Sequence, residues 1–171
     1  DVAPMLDENR ILVHKGCQLL SNTQKIGIKE LLKIAGATEV DTTTIGFQIG
    51  PRINAIGRLS DPSIALDLMI ETNAQRAKFL AMQLDTANKR RQTKQEHMLQ
   101  EAIALVEEYK LNEMPAIVCW AKSWHPGLVG LVAGKLADKY QRPAIVLVVN
   151  ENGKAKGSCR SVKQVNILNI L

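Results

Sequence analysis

The chain has 171 residues, 46% of them hydrophobic, and 22 basic against 17 acidic side chains leave a formal net charge of +5. That length holds one ordinary domain or two small ones with enough apolar mass for a core, and no apolar run approaches the roughly 20 residues that cross a bilayer. The opening residues, from Asp1 and Val2, lack the basic and apolar regions of a signal peptide, so a cytoplasmic location and no membrane partner are expected. Cys17, Cys119 and Cys159 are odd in number and widely spaced, as reduced thiols are, and fit neither a disulfide frame nor a zinc site.

Taken in chain order, the first 70 residues read as short helices punctuated by Gly16, Gly27 and Gly36, with apolar residues at three- and four-residue spacings over Asn9–Leu20 and Ile28–Ala35. Asp61-Pro62-Ser63 signals a further helix start, Asp61 capping and Pro62 in the first turn. From Ala74 to about Tyr109 there is neither Gly nor Pro, and one long helix is predicted. Phe79, Leu80, Met82 and Leu84 give its first third a packing face. Met98, Leu99, Ala102, Ile103, Leu105 and Val106 give the last third another. Asn88–His97 holds no apolar residue, as expected of a strut through solvent between two domains, or of two helices with a frayed joint. After Pro115 the pattern turns α/β: a strand over Ala116–Trp120, a helix over Leu128–Tyr140, a strand over Ala144–Val149 and, past a turn at Glu151-Asn152-Gly153, a strand over Lys154–Arg160. The abrupt beginning at Asp1 and end at Leu171 read as an excerpt of a longer protein.

Charge follows this division. Residues 1–73 carry net −2 and residues 74–171 net +7, with 8 basic against 2 acidic from Pro115 onward. A positive half is the footprint expected for a polyanion, although a merely solubilising surface has the same composition.

Three motifs could carry chemistry. In Gly50-Pro51-Arg52-Ile53-Asn54-Ala55-Ile56-Gly57-Arg58-Leu59, two glycines and a proline imply an irregular backbone. Arg52 and Arg58 are planar donors suited to phosphate, and Asn54 could tie the loop together; the arginines could equally pair with carboxylates such as Asp61. In Trp124-His125-Pro126-Gly127-Leu128-Val129-Gly130, backbone N–H groups at a helix start beside His125 could hold an anion, or His125 could simply cap. Gly127, Gly130, Ala133 and Gly134 would let something approach that helix closely. In Lys156-Gly157-Ser158-Cys159-Arg160-Ser161, alternation puts Ser158 and Arg160 on one face, able to hold a phosphate with Gly157 admitting it, or else forming an exposed polar edge. Aromatics are few, so base stacking is limited and binding should rest on phosphates and fall with salt. Trp120 and Trp124 are expected mainly in core packing.

In this order, the motif from Gly50 to Arg58, the long helix, the stretch from Trp124 to Leu147 and the motif from Lys156 to Ser161 resemble the RecJ family of DHH-superfamily phosphoesterases over essentially the whole chain. The resemblance implies an α/β protein with three parts. These are the mostly helical end of a DHH catalytic domain over 1–73, a connecting helix over 74–110, and a small DHHA1 domain, truncated, over 111–171. It further implies a metal-dependent exonuclease of DNA repair and recombination that degrades single-stranded DNA from the 5′ end, using two Mn²⁺ or Mg²⁺ ions held by aspartates and histidines, with the strand threading a groove between the domains. Single-stranded DNA is then the partner, and a single-strand-binding protein a candidate one. Asp1, in Asp1-Val2-Ala3-Pro4, matches a metal ligand. Arg52, Ser158 and Arg160 would hold the terminal phosphate or nearby backbone, with Ser161 beside them, and Asn54, Arg58 and His125 would support the groove. Ile56, Cys159 and Lys135 depart from the usual alanine, glycine and arginine. No Asp-His-His sequence is present, and His14, His97 and His125 cannot rebuild the metal site, so the chain by itself is expected to be inactive. Two other readings stand beside this one: a phosphodiesterase of short oligonucleotides or cyclic dinucleotides, and a DNA-binding scaffold without catalysis.

Overall fold

The computed structural model describes residues 4–59, 61–163 and 165–167. They form two compact units, Asp1–Arg90 and Arg91–Leu171.

The first unit is helical: α1 (Asp7–Ser21), α2 (Ile26–Ala35), α3 (Gly50–Leu59), α4 (Ser63–Ile70) and the beginning of α5 (Ala74–Glu108). Its core is Leu31, Ile49, Ile56, Leu68, Leu80 and Leu84, closed by alanines including Ala77 and Ala81. Helix α2 stops at Gly36, whose left-handed backbone (φ 71°) returns its N–H to the carbonyls of Leu32 and Lys33. Gly27 lets α2 meet α4, since a Cβ there would overlap the carbonyl oxygen of Leu68. Asp61 caps α4 by accepting the Ser63 N–H at 2.9 Å. Pro62 stands just before the helix instead of inside its first turn.

The Gly50–Leu59 motif is not an irregular loop. A π-helical turn, Thr44–Ile49, runs straight into α3. Pro51 falls where the π-helical turn passes into α3, so the N–H it lacks is missing at the change of hydrogen-bond pattern, and Gly57 has only ordinary contact with Pro62. The glycine–proline pattern therefore sits on a regular backbone.

Helix α5 matches its predicted extent, but its packing face differs. Ala77, Leu80, Ala81, Leu84 and Ala87 are buried, whereas Phe79 and Met82 are 59% and 54% exposed. The buried positions follow the three- and four-residue helical spacing, and Phe79 and Met82 fall off that stripe. The stripe does not lapse in the polar stretch. Asn88 and Gln95 are buried within it, and Arg91 Nη1 donates to Gln95 Oε1 at 2.8 Å, so the helix is not polar all round in the sense its sequence implies.

The second unit holds the remainder of α5, β1 (Ile117–Ala121), α6 (Val129–Tyr140), β2 (Ala144–Val149) and β3 (Ala155–Arg160). Strand order is β1-β2-β3, β1 parallel and β3 antiparallel to β2. Ile117, Cys119, Ala144 and Val146 point to one face and are buried, as are Val132, Ala133 and Leu136 of α6, which packs against the sheet. The β2–β3 turn closes through Gly153 (φ 74°) and through Asn150 Oδ1, which accepts the N–H groups of Asn152 and Lys154 at 3.1 and 2.8 Å. Trp124 is buried as expected. Trp120 is not: it is 54% exposed, because its register partner is Leu147, on the sheet face opposite α6.

Candidate nucleic-acid interface

Ser158 and Arg160 pair in register with Val146 and Ala144, the two β2 residues on the α6 face, and antiparallel partners project to the same side. Both side chains therefore meet α6. What they meet there is glycine. A Cβ at Gly130 would lie 3.1 Å from Ser158 Oγ and 3.5 Å from Arg160 Nη2, and one at Gly134 would lie 4.0 Å from Arg160 Cγ. The small-residue stripe of α6 thus admits the hydroxyl and guanidinium of β3. Arg160 Nη1 donates to the Cys159 carbonyl at 3.1 Å, and among the described residues no carboxylate pairs with it. A hydroxyl and an uncompensated guanidinium side by side are donors for a phosphate oxygen.

Gly157 has another role from the one its motif implies. A Cβ there would overlap the Val146 carbonyl oxygen and Leu147 Cδ2, so its missing side chain makes room for β2 and not for a ligand. Ser161 closes the turn after β3, its Oγ donating to the carbonyl of Val165.

His125 enters from the loop before α6. Its Nδ1 accepts the Gly127 N–H at 3.1 Å and its carbonyl accepts the Leu128 N–H at 2.9 Å, so those two donors are taken and are not offered to an anion. With Nδ1 an acceptor, the proton of the neutral ring sits on Nε2, which becomes the donor. The loop is anchored from α5: Trp124, 3% exposed, donates its Nε1–H to Glu101 Oε2 at 2.7 Å.

Three further sequence-predicted residues, Arg52, Asn54 and Arg58, lie in the first unit, on α3. Arg52 donates from Nε to Asp85 Oδ1 at 2.9 Å and from Nη1 to the Gln48 carbonyl at 2.7 Å. Its partner is Asp85 on α5 and not Asp61. Burial acts most strongly on Asp85 and raises its pKa, yet hydrogen bonds and positive charge from Lys89 and Arg52 outweigh it and hold the carboxyl below its ordinary value. Asn54 is exposed and makes no side-chain hydrogen bond among the described residues; it shares the exposed face of α3 with Arg58, four residues on. Asp1 lies outside the described residues. Among those described, no group of three or more His, Cys, Asp or Glu side chains could hold a metal ion.

With this geometry in place, the DHHA1 domain family matches residues 113–171. Over its whole length the chain is 41% identical to the single-stranded-DNA-specific exonuclease RecJ of Bacillus subtilis and 33% identical to that of Escherichia coli. The fold superposes on the crystal structure of RecJ in complex with Mg²⁺ from Thermus thermophilus with a TM-score of 0.83 at 32% identity, covering 99% of this chain and 26% of that one. A crystal structure of exonuclease RecJ bound to manganese gives 0.82, covering 41% of that chain. The chain belongs to the RecJ family, as a segment of it. It spans 22% of the Bacillus subtilis protein and 31% of the Escherichia coli one. In the second unit, two features have no signal in the sequence: Glu101 as partner of Trp124, 23 residues away, and the pairing of Gly130 with Ser158. In the first unit the same holds for Asp85, 33 residues from Arg52. Long-range partners of this kind leave no periodic trace.

Proposed function

We propose that this chain is the part of a metal-dependent RecJ-like exonuclease that holds the 5′-phosphorylated end of a single DNA strand. The observation that carries the reading is the face shared by Ser158, Arg160 and Gly130. There a hydroxyl and a guanidinium without a carboxylate partner stand against a helix position that has no side chain to screen them. The phosphate accepts from Ser158 Oγ and from the Arg160 guanidinium, with His125 Nε2–H a further donor in the same unit and Ser161, whose own proton goes to the Val165 carbonyl, following them in the chain. In the first unit Arg52 is held rigidly by Asp85 and Gln48, so a phosphate contact there would come from the remaining Nη2 edge, with Asn54 and Arg58 along the exposed face of α3.

The whole protein, on this reading, removes nucleotides in the 5′–3′ direction during DNA repair and recombination, in the cytoplasm, with a single-strand-binding protein as a further partner. Two Mn²⁺ or Mg²⁺ ions would activate water and stabilise the phosphate's developing charge. Asp1 would be one of their ligands and the rest would come from chain beyond this sequence, so these 171 residues bind without cleaving. The parts are the end of a DHH domain over 1–73, the connecting helix over 74–110 and the DHHA1 domain over 111–171.

Fluorescence anisotropy with single-stranded oligonucleotides bearing a 5′-phosphate or a 5′-hydroxyl, at two salt concentrations, tests the assignment. Salt-sensitive binding that prefers the phosphate and weakens in Ser158→Ala and Arg160→Ala supports it. Equal binding of both oligonucleotides, or no binding by folded protein, overturns it.

A further inference from the structure

His125 is a loop residue, and a loop donor is useful only where its backbone is fixed. Within its own segment His125 has little freedom. It precedes a proline, which biases it to extended backbone, and the Pro126 ring sets the next φ. Its ring Nδ1 and its carbonyl accept the N–H groups of Gly127 and Leu128 at 3.1 and 2.9 Å, while the Leu128 carbonyl accepts those of Leu131 and Val132 in α6. Residues 124–128 therefore form one body attached to the start of α6. His125 Nε2 has no partner among the described residues.

Trp124 is the second attachment of that body. Its indole is buried, and its Nε1–H goes to Glu101 Oε2 at 2.7 Å, short in the manner of a bond to a charged acceptor. Glu101 stands in the last third of α5, beside the buried Met98 and Ala102 but itself exposed. It makes no ion pair among the described residues.

Satisfying the indole does not by itself require this carboxylate. Glu101, Trp124, Ser123 and His125 wall a cavity of about 280 Å³, and a water standing there would accept the N–H equally well. A water is not attached to α5. What Glu101 adds over a water is a fixed place for the indole and, one residue on, for the imidazole.

We propose that Glu101 is a positioning residue, which through Trp124 sets where His125 presents its Nε2–H to the 5′-phosphate. The proposal rests on the end-binding reading above and adds the residue that aims its loop donor. Its sign is distinctive. An anion near a phosphate opposes binding by charge, so a Glu101 acting only through its field would, when removed, strengthen binding. Acting through Trp124, its removal weakens binding.

The test is the ratio of affinities for a 5′-phosphorylated and a 5′-hydroxyl oligonucleotide, measured by anisotropy for wild type, Glu101→Ala, Glu101→Gln, Glu101→Asp, His125→Ala and the double variant of Glu101→Ala with His125→Ala. Circular dichroism verifies folding, which the exposure of position 101 favours. Glutamine keeps an acceptor at the same reach without the charge, and aspartate keeps the charge one methylene short of the indole. The expected preference for the phosphate falls roughly three- to tenfold in the alanine and aspartate variants, part of what a hydrogen bond to a charged group contributes, and stays within about twofold of wild type in Glu101→Gln. With His125 already replaced, Glu101→Ala changes the preference no further, whereas a merely structural role would lower it in both backgrounds. A preference that is unchanged or raised in folded Glu101→Ala overturns the proposal, as does aspartate matching wild type while glutamine fails, an equal loss with and without His125, or no effect of His125→Ala. In each of these the wild-type preference remains and the end-binding reading stands. No preference in wild type itself is the different result that overturns that reading, and this proposal with it.

Discussion

Replacing Gly130 with alanine separates the proposed phosphate pocket from the stability of its fold. Gly130 occupies the second position of α6, and a methyl there would sit 3.1 Å from Ser158 Oγ and 3.5 Å from Ser158 Cβ and Arg160 Nη2. The first contact is tight, but a hydroxyl can rotate away and an exposed arginine head can shift, so the steric cost is small. Against it stands the helix preference for alanine over glycine, worth up to about 1 kcal/mol. The midpoint of urea unfolding should therefore stay close to wild type, within about 1 kcal/mol in free energy. Binding should not. The methyl screens the two donors from an incoming phosphate, and losing hydrogen bonds to a charged group costs about 1.5 to 3 kcal/mol, or about 10- to 150-fold in affinity. Anisotropy with a 5′-phosphorylated oligonucleotide, read beside the urea curves, measures both. A folded Gly130→Ala protein with wild-type affinity would refute the pocket.

The same substitution elsewhere should give opposite signs. Gly27→Ala drives a methyl into the Leu68 carbonyl, which sits in a helix and cannot yield, and should cost about 3 kcal/mol or more, whereas Gly16→Ala meets nothing within 4 Å on α1 and should stabilise by about 0.5 to 1 kcal/mol; chemical denaturation distinguishes them. Asp85, whose pKa folding lowers, contributes stability that is present above its unfolded pKa and lost as pH falls through the lower folded value. Asp85→Asn should accordingly cost about 1 to 3 kcal/mol at neutral pH through lost charged hydrogen bonds, and the gap should close at the acid end of a pH series of unfolding curves. Cys119 is buried and its thiol is pushed up to about 11, leaving a thiolate fraction of about one in a thousand at pH 8. Under native conditions a thiol reagent should label Cys17 and Cys159, which are partly exposed, and reach Cys119 only in denaturant; labelling of Cys119 in the native protein would contradict its burial.

Local signals determined much of this protein from sequence alone. The absence of Gly and Pro from 74 to 109 reads as one helix, and Ala74–Glu108 is one helix, because helix propensity and i-to-i−4 bonding are properties of the segment itself. The strands, α6 and the Glu151-Asn152-Gly153 turn are legible for the same reason, as is the shared face of Ser158 and Arg160, which follows from alternation once the strand is known. Tertiary structure decided what local pattern cannot encode. The Gly50–Leu59 motif looks like a loop by composition, yet it forms a helix whose buried Ile56 joins the first core. Phe79 and Met82 look like packing residues by size, yet the stripe through Ala77, Leu80, Ala81 and Leu84 won, since alanine lets helices approach closely. Arg52 found Asp85, Trp124 found Glu101, and Ser158 found Gly130, each across a separation that no periodicity spans. Sequence sets which faces an element has, and only the fold sets what each face meets.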